Sequence, residues 1–174
     1  MPLKRWRFSG RLSRITKNLL ILNSNKQIKI CFTCSAGGHF KQALKIADTI
    51  NYRKYFVTYR SPHLNKIAEQ VKIYFVIHSK RNPILVLRNA FESLKILLKE
   101  KPDLIISTGA DVAVPTCILG KLLGKKLVYI ESGGQVYTPS LSGRIVYRFA
   151  DLFMVQWKPG LKNFPKARYG GPLI

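Results

Sequence analysis

A chain of 174 residues, 47% of them hydrophobic, is long enough to bury one domain core and too short for two full domains. Its 30 Lys and Arg stand against 8 Asp and Glu, a formal net charge of +22 that exceeds the needs of solubility and points to an anionic partner surface, an acidic membrane or a nucleic acid. No apolar stretch approaches the roughly 20 residues needed to span a bilayer, and 3 cysteines do not make a secreted disulfide scaffold.

Residues 1–27 form a basic extension carrying Lys4, Arg5, Arg7, Arg11, Arg14 and Lys17 beside Trp6 and Phe8, with a short apolar patch at 19–22. They lack the long apolar region and small-residue cleavage site of a secretory signal. Two readings fit: an amphipathic helix lying on an anionic membrane, or a solvated basic tail. The expected organisation is therefore extension 1–27 and domain 28–174, on the cytoplasmic face of the membrane and peripheral to it.

From Ile28 onward short apolar runs alternate with helical patterns. Strands are expected at 28–35, 55–59, 73–78, 104–108, 127–130 and 152–156, and helices at 40–50, 62–70, 83–99, 113–123 and 141–149. Continuous rather than alternating apolarity in the strands means both faces are covered, as in a parallel sheet between helical layers. The expected fold class is α/β, a doubly wound, mainly parallel Rossmann-like sheet.

Cys31 and Cys34 form a C-x-x-C, but inside a strand rather than at a helix start, so they read as buried small hydrophobes on opposite faces. With no second pair, no zinc site is expected. The helix at 83–99 is greasier than one core face requires, with Arg88, Lys95 and Lys99 among its apolar residues. It suits either a sheet-packing helix with a solvated basic face or a helix that dips into a headgroup layer.

Three strand-to-helix turns carry the chemistry. Ser107-Thr108-Gly109-Ala110-Asp111 follows the fourth strand, Ala36-Gly37-Gly38-His39 the first, and Glu131-Ser132-Gly133-Gly134-Gln135 the fifth. Glycine lets backbone approach a ligand phosphate, and a helix start offers free N–H groups and a positive dipole end. If the strands are parallel neighbours, all three turns share the edge at which open α/β sheets bind ligands. Neither a Walker A loop nor a complete G-x-G-x-x-G is present, so the pattern suits phosphate without naming a nucleotide, and no cofactor is expected. His39 suits a general base, since imidazole exchanges its proton near neutrality. Asp111 reads equally as a ligand contact or a helix-start charge, and Glu131 as a catalytic carboxylate or a structural hydrogen-bond acceptor.

The segments CSAGGH (34–39), PDLIISTGADVAVP (102–115), GKKLVYIESGGQVYTPSLSGRIVYRFADLFMVQW (124–157) and PKARYGG (165–171), in this order, resemble the membrane-associated subunit of split UDP-sugar glycosyltransferases. That family includes the PssD-type proteins of bacterial exopolysaccharide synthesis and the eukaryotic Alg-type subunit of N-glycan assembly. The resemblance implies the N-terminal half of a GT-B enzyme, similar to the acceptor domain of MurG. It implies transfer from a UDP-sugar to a polyprenyl-diphosphate-linked saccharide, with inversion, and a PssE-like donor-domain subunit as partner, because the chain ends just after Gly170-Gly171-Pro172. It places Gly37, Gly38, Thr108, Gly109, Ala110, Asp111, Ser132, Gly133 and Gly134 at the acceptor diphosphate, and His39 and Glu131 at the catalytic step. Asp111 stands where many relatives have a small residue, and Gly133-Gly134 is a local variant. The alternative is a non-catalytic membrane tether for a separate catalytic subunit. Nucleic acid is not expected as a partner, since the aromatic residues fall in strand and core positions rather than along a basic groove.

Overall fold

The computed structural model describes residues 28–80 and 82–173, so the basic extension lies outside the described residues. Among them seven strands form one sheet in the order β3-β2-β1-β4-β5-β6-β7, and every neighbouring pair is parallel. The strands are β1 (Lys29–Cys34), β2 (Arg53–Thr58), β3 (Ile73–Phe75), β4 (Leu104–Gly109), β5 (Lys126–Ile130), β6 (Leu152–Val155) and β7 (Arg168–Tyr169). The helices are α1 (Gly38–Ala47), α2 (Asn65–Ala68), α3 (Pro83–Glu100), α4 (Val114–Leu122) and α5 (Leu141–Val146). This is the doubly wound α/β arrangement expected from the apolar runs.

Strand alternation divides the core. Ile30, Phe32, Cys34, Leu104, Ile106, Val128, Ile130 and Met154 pack with α1 on one face. Cys31, Ile105, Leu127, Tyr129, Phe153 and Val155 face the other layer, where Ile96, Leu97, Cys117 and Val146 come from α3, α4 and α5. Cys31 and Cys34 thus lie on opposite faces, both buried. Burial pushes the Cys34 thiol up to about 12, so it remains protonated and inert at neutral pH.

Several expected elements come out shorter, among them the helix at 141–149, which ends at Val146. The run at 73–78 pairs as a strand only to Phe75; beyond it the Ile77 N–H donates to Glu92 and the Ile77 carbonyl accepts from Asn89 Nδ2–H. The stretch 62–70 becomes a 3₁₀ turn at Pro62–Leu64 and the single turn α2. The two-residue edge strand β7 was not expected, being too short to carry a pattern.

α3 departs from the usual distribution of polarity. Asn89 and Ser93 are fully buried, whereas Ile84, Leu87, Phe91 and Leu98 are half to three-quarters exposed. Asn89 gives Nδ2–H to the carbonyls of Ile77 and Val112, and Ser93 bonds Asn89 Oδ1 and Thr116 Oγ1. A satisfied polar ladder therefore fastens α3 to α4, leaving apolar side chains on the outside. Arg88, Lys95 and Lys99 share that exposed face with the apolar side chains, so it is not basic alone.

At the opposite end of α3, Glu100 accepts hydrogen bonds from Lys29, Lys72 and Tyr74. Burial by itself would raise its pKa, but these donors outweigh burial and hold the carboxyl down to about 2, against 4.5 for a free glutamate. A depressed carboxyl contributes stability that is complete above its unfolded pKa and lost as pH falls through the folded one. Urea titrations of Glu100→Gln and the parent across acid pH should show the stability gap narrowing from pH 4.5 toward about 2; a constant gap would remove Glu100 from the acid transition.

Candidate functional site

The strand order reverses direction at the β1–β4 boundary, and that crevice, outside the carboxyl ends of the strands, is where open parallel sheets take ligands. Two of the three expected turns meet there. Register shifts at this point: Thr33 faces Ser107, but Cys34 faces Gly109, leaving Thr108 as the extra residue of a bulge. Freed from the ladder, Thr108 engages His39 twice. His39 Nδ1 lies 2.7 Å from the Thr108 carbonyl, and Thr108 Oγ1 donates to the His39 carbonyl at 2.8 Å.

A carbonyl can only accept, so the Nδ1 of His39 carries the proton, and in the neutral ring Nε2 keeps its lone pair. The backbone before His39 is correspondingly open. Gly37 adopts φ +86°, and a Cβ on either Gly37 or Gly38 would meet nothing within 4 Å. No side chain caps the start of α1, which leaves its first-turn N–H groups for water or an anion.

The fourth turn is strained where it passes the histidine. Gly109 has φ +107° and Ala110, a residue with a side chain, φ +79°, the latter a conformation that costs on the order of 1–3 kcal/mol. A Cβ at Gly109 would sit 3.2 Å from Tyr129 Oη and 3.3 Å from His39 Cε1. Glycine here lets the β4 end, the imidazole and the phenol share one place.

Asp111 turns to the other side of this turn. Its Oδ1 accepts from the Val112 N–H at 2.9 Å and faces His78 Nε2 at 3.6 Å, and its Oδ2 accepts from Ser79 Oγ at 3.3 Å. His78 in turn stacks on Tyr59 with ring centroids 4.4 Å apart. The pair His78 and Ser79 was absent from the sequence-based candidates; the position of His78 at the end of the 73–78 run was the available signal.

The fifth turn is braced internally. Glu131, 3% exposed, takes hydrogen bonds on Oε1 from the Ser132 N–H and from Ser140 Oγ, each at 2.8 Å. Its Oε2 is buried with no hydrogen-bond partner and lies where a Cβ on Gly143 would come within 2.0 Å. Gly134 gives its N–H to Ser132 Oγ, while Trp157 Nε1 bonds the Gly133 carbonyl. Gly133 also packs on the Gln42 and Gln156 amides, which bond each other. Ser132 and Gly134 thus spend these N–H groups inside the turn, unlike the open Gly37-Gly38 backbone. A hydroxyl chain, Tyr129 Oη to Ser142 Oγ to Ser140 Oγ, connects Glu131 toward the Gly109 corner.

Beyond the turns, α3, α4 and α5 pack side by side, and each carries apolar side chains on its exterior. Ile84, Leu87 and Phe91 of α3, Ile118 and Leu122 of α4, and Leu141 and Ile145 of α5 are all exposed. Lys95 lies over the Phe91 ring at 4.4 Å, and Arg88 lies on the same helix. Among the described residues no helix is long and apolar enough to cross a membrane.

Comparison with known proteins agrees with this architecture. Human UDP-N-acetylglucosamine transferase subunit ALG14 is 30% identical over 131 residues, 71% of this chain and 56% of the human protein. The Schizosaccharomyces pombe subunit of the same name is 43% identical over 75 residues, 40% of this chain and 36% of that protein. A Bacillus thuringiensis UDP-N-acetylglucosamine--N-acetylmuramyl-(pentapeptide) pyrophosphoryl-undecaprenol N-acetylglucosamine transferase is 30% identical over 107 residues, 62% of this chain and 30% of that enzyme. The chain thus spans at most about half the length of these relatives. In fold it is similar to Acinetobacter baumannii MurG, with a TM-score of 0.62 at 17% identity over 74% of this chain and 41% of that one. The family model described as oligosaccharide biosynthesis protein Alg14 like matches residues 29–173, and the chain belongs to that family.

Proposed function

We propose that this chain is the acceptor-binding subunit of a two-component, membrane-associated glycosyltransferase, which moves a sugar from a UDP-sugar onto a polyprenyl-diphosphate-linked saccharide in polysaccharide biosynthesis. The observation that carries the reading is the β1–β4 crevice, where Thr108 fixes the His39 ring through Nδ1, which makes Nε2 the basic nitrogen of the neutral ring, beside the open Gly37-Gly38 backbone. The relatives' names supply the UDP-N-acetylglucosamine and lipid-diphosphate chemistry. The crevice supplies a place for it.

In this mechanism the acceptor diphosphate lies against the α1 start and the Thr108-Gly109-Ala110 turn, whose N–H groups and dipole favour anions. His39 Nε2 takes the proton of the acceptor hydroxyl as its oxygen bonds the anomeric carbon. The bond to UDP breaks with its electron pair leaving on the diphosphate, and the displacement inverts the configuration. The UDP-sugar is held by a separate donor-domain subunit, PssE-like in role. Glu131 acts as a positioning residue, holding Ser140 and the 131–143 loop, and Asp111 joins the acceptor pocket through His78 and Ser79.

Membrane attachment at the cytoplasmic face follows the same logic. The apolar exterior of α3 to α5 with its fringe of cations suits the headgroup boundary of an acidic bilayer, and the basic extension 1–27 adds electrostatic attraction. That exterior also favours a second reading, a tether whose partner performs all the chemistry. Variants in the Gly37-Gly38 turn separate the two: loss of turnover with pairing and attachment intact supports acceptor binding by this chain.

Co-expressed with its donor subunit and assayed on a lipid-linked acceptor, the pair should be active and this chain alone inactive. His39→Ala should lower kcat by about 10²–10⁴, the usual worth of general-base catalysis. Full activity without a partner would overturn the two-component assignment, and an undiminished His39→Ala pair the base assignment. Gly109→Ala forces a side chain into φ +107° and against the histidine. It should cost about 1–3 kcal/mol in denaturant unfolding and reduce kcat more than it raises the KM for the UDP-sugar; unchanged stability and kcat would show that the corner tolerates a methyl group.

A further inference from the structure

A cavity of about 850 Å³ lies beside the fourth-strand turn, between the starts of α3, α4 and α5. It is within the range of roughly 300–1,000 Å³ found for small-molecule sites. Its walls are chiefly apolar, formed by Val86, Val114, Pro115, Leu141 and Ile145, and its inner end reaches Ala110 and Asp111. Val86, Leu141 and Ile145 belong also to the exposed apolar exterior of α3 to α5, so the groove is continuous with that surface at one end and with the strand-end turn at the other.

Polar side chains share the lining: Ser79, Gln135, Ser140 and Ser142 besides His78, Lys80 and Asp111. The Asp111 carboxylate is already occupied by the Val112 N–H and Ser79 and faces His78. A ligand suited to such a groove has an anionic head near the turn and an extended apolar tail directed outward. A bilayer surface, by contrast, covers convex helix faces and does not require a channel ending at a phosphate-facing turn.

We propose that this groove binds the first isoprene units of the lipid-linked acceptor, so that the chain recognises the lipid as well as the diphosphate. This rests on the function proposed above and extends it by a subsite outside the β1–β4 crevice. The groove aligns the prenyl chain between the membrane face and the Ala110–Asp111 corner, which orients the diphosphate toward Gly37 and Gly38.

The test uses the full chain with its co-expressed partner and calorimetric titration of two probes, farnesyl diphosphate and inorganic pyrophosphate. The parent should bind farnesyl diphosphate at least about ten-fold more tightly, the effect of one well-buried apolar increment. Val114→Trp, which fills the groove, and Ile145→Glu, which places a carboxylate on its partly exposed wall, should each abolish that preference. Both should retain pyrophosphate binding, and Val114→Trp, at a position outside the exposed apolar exterior, should also retain attachment to vesicles of phosphatidylglycerol and phosphatidylcholine. Equal affinity of the parent for the two probes, or preference surviving in both variants, overturns the proposal. So does loss of vesicle attachment by Val114→Trp in proportion to the lost preference, which would make the groove part of the bilayer face alone. The underlying reading fails separately: a pair that prefers farnesyl diphosphate but transfers sugar to no diphosphate-linked saccharide removes the function and keeps the groove. A pair that turns over prenyl- and phenyl-linked acceptors with the same KM does the reverse.

Discussion

The reciprocal hydrogen bonds between His39 and Thr108 are the constraint on which the site depends. They join the first residues after β1 to the last residues of β4, elements far apart in sequence, and they do so because a bulge releases Thr108 from the ladder. Each bond has a separate consequence. Nδ1–H to the carbonyl fixes the ring and its tautomer, and Oγ1–H to the His39 carbonyl fixes the start of α1 against β4. Substituting Thr108 by valine would keep the first bond and lose the second, because the first uses only backbone on the β4 side. The strained Gly109-Ala110 pair follows from the same geometry, since the chain must leave β4 without covering the imidazole.

A second dependency connects the polar interior of α3 to the apolar exterior of its layer. Soluble helices ordinarily attach to a sheet through their apolar stripe. Here Asn89, Ser93 and Thr116 take part of that role between α3 and α4, supported by Ile96 and Leu97 near the α3 end. Ile84, Leu87 and Phe91 are consequently available for the outside. A helix so arranged in water alone would lose stability by exposing apolar area that could have been buried, at roughly 25 cal/mol per Å². The inversion is intelligible if the layer faces a less polar medium, and the groove between the helix starts opens toward that same side.

Much of the fold was legible because parallel strands covered on both faces appear as unbroken apolar runs, which β1, β4, β5 and β6 show clearly. β7 and α2 were not legible: two residues or one turn carry no period, and tertiary packing decides them. The site divided in the same way. Gly37, Gly38, His39 and the 107–111 turn could be placed on one sheet edge from sequence, since that follows from strand–turn–helix order. What could not be read was which way side chains turn at that edge. Asp111 goes to His78 and Ser79 because the bulge and the positive φ values rotate the turn, and Ser132 and Gly134 use N–H groups internally because Glu131 is folded beneath them. The fourth-strand turn and the fifth look alike in composition. Only the register at β4 makes the former face a ligand crevice.

The charge balance takes its meaning from where the acids are. Of the 8 acidic residues, Glu92, Glu100, Asp103, Asp111, Glu131 and Asp151 all accept hydrogen bonds within the fold. Several of these hold backbone N–H groups at element ends rather than neutralising the surface. Glu92, Glu100 and Asp151 do pair with Arg88, Lys29, Lys72, Lys121 and Lys126, but the remaining cations have few carboxylates left to meet. The positive excess is thus a property of the exterior, where it acts over roughly a Debye length, about 8 Å at physiological ionic strength. Over that range it draws an acidic surface toward the protein without selecting an orientation. On the function proposed above, orientation among the described residues comes from the apolar face of α3, α4 and α5, where exposed apolar side chains can exchange contact with water for contact with lipid. Charge and apolarity therefore do different work: the first raises the frequency of encounter, and the second decides which face stays.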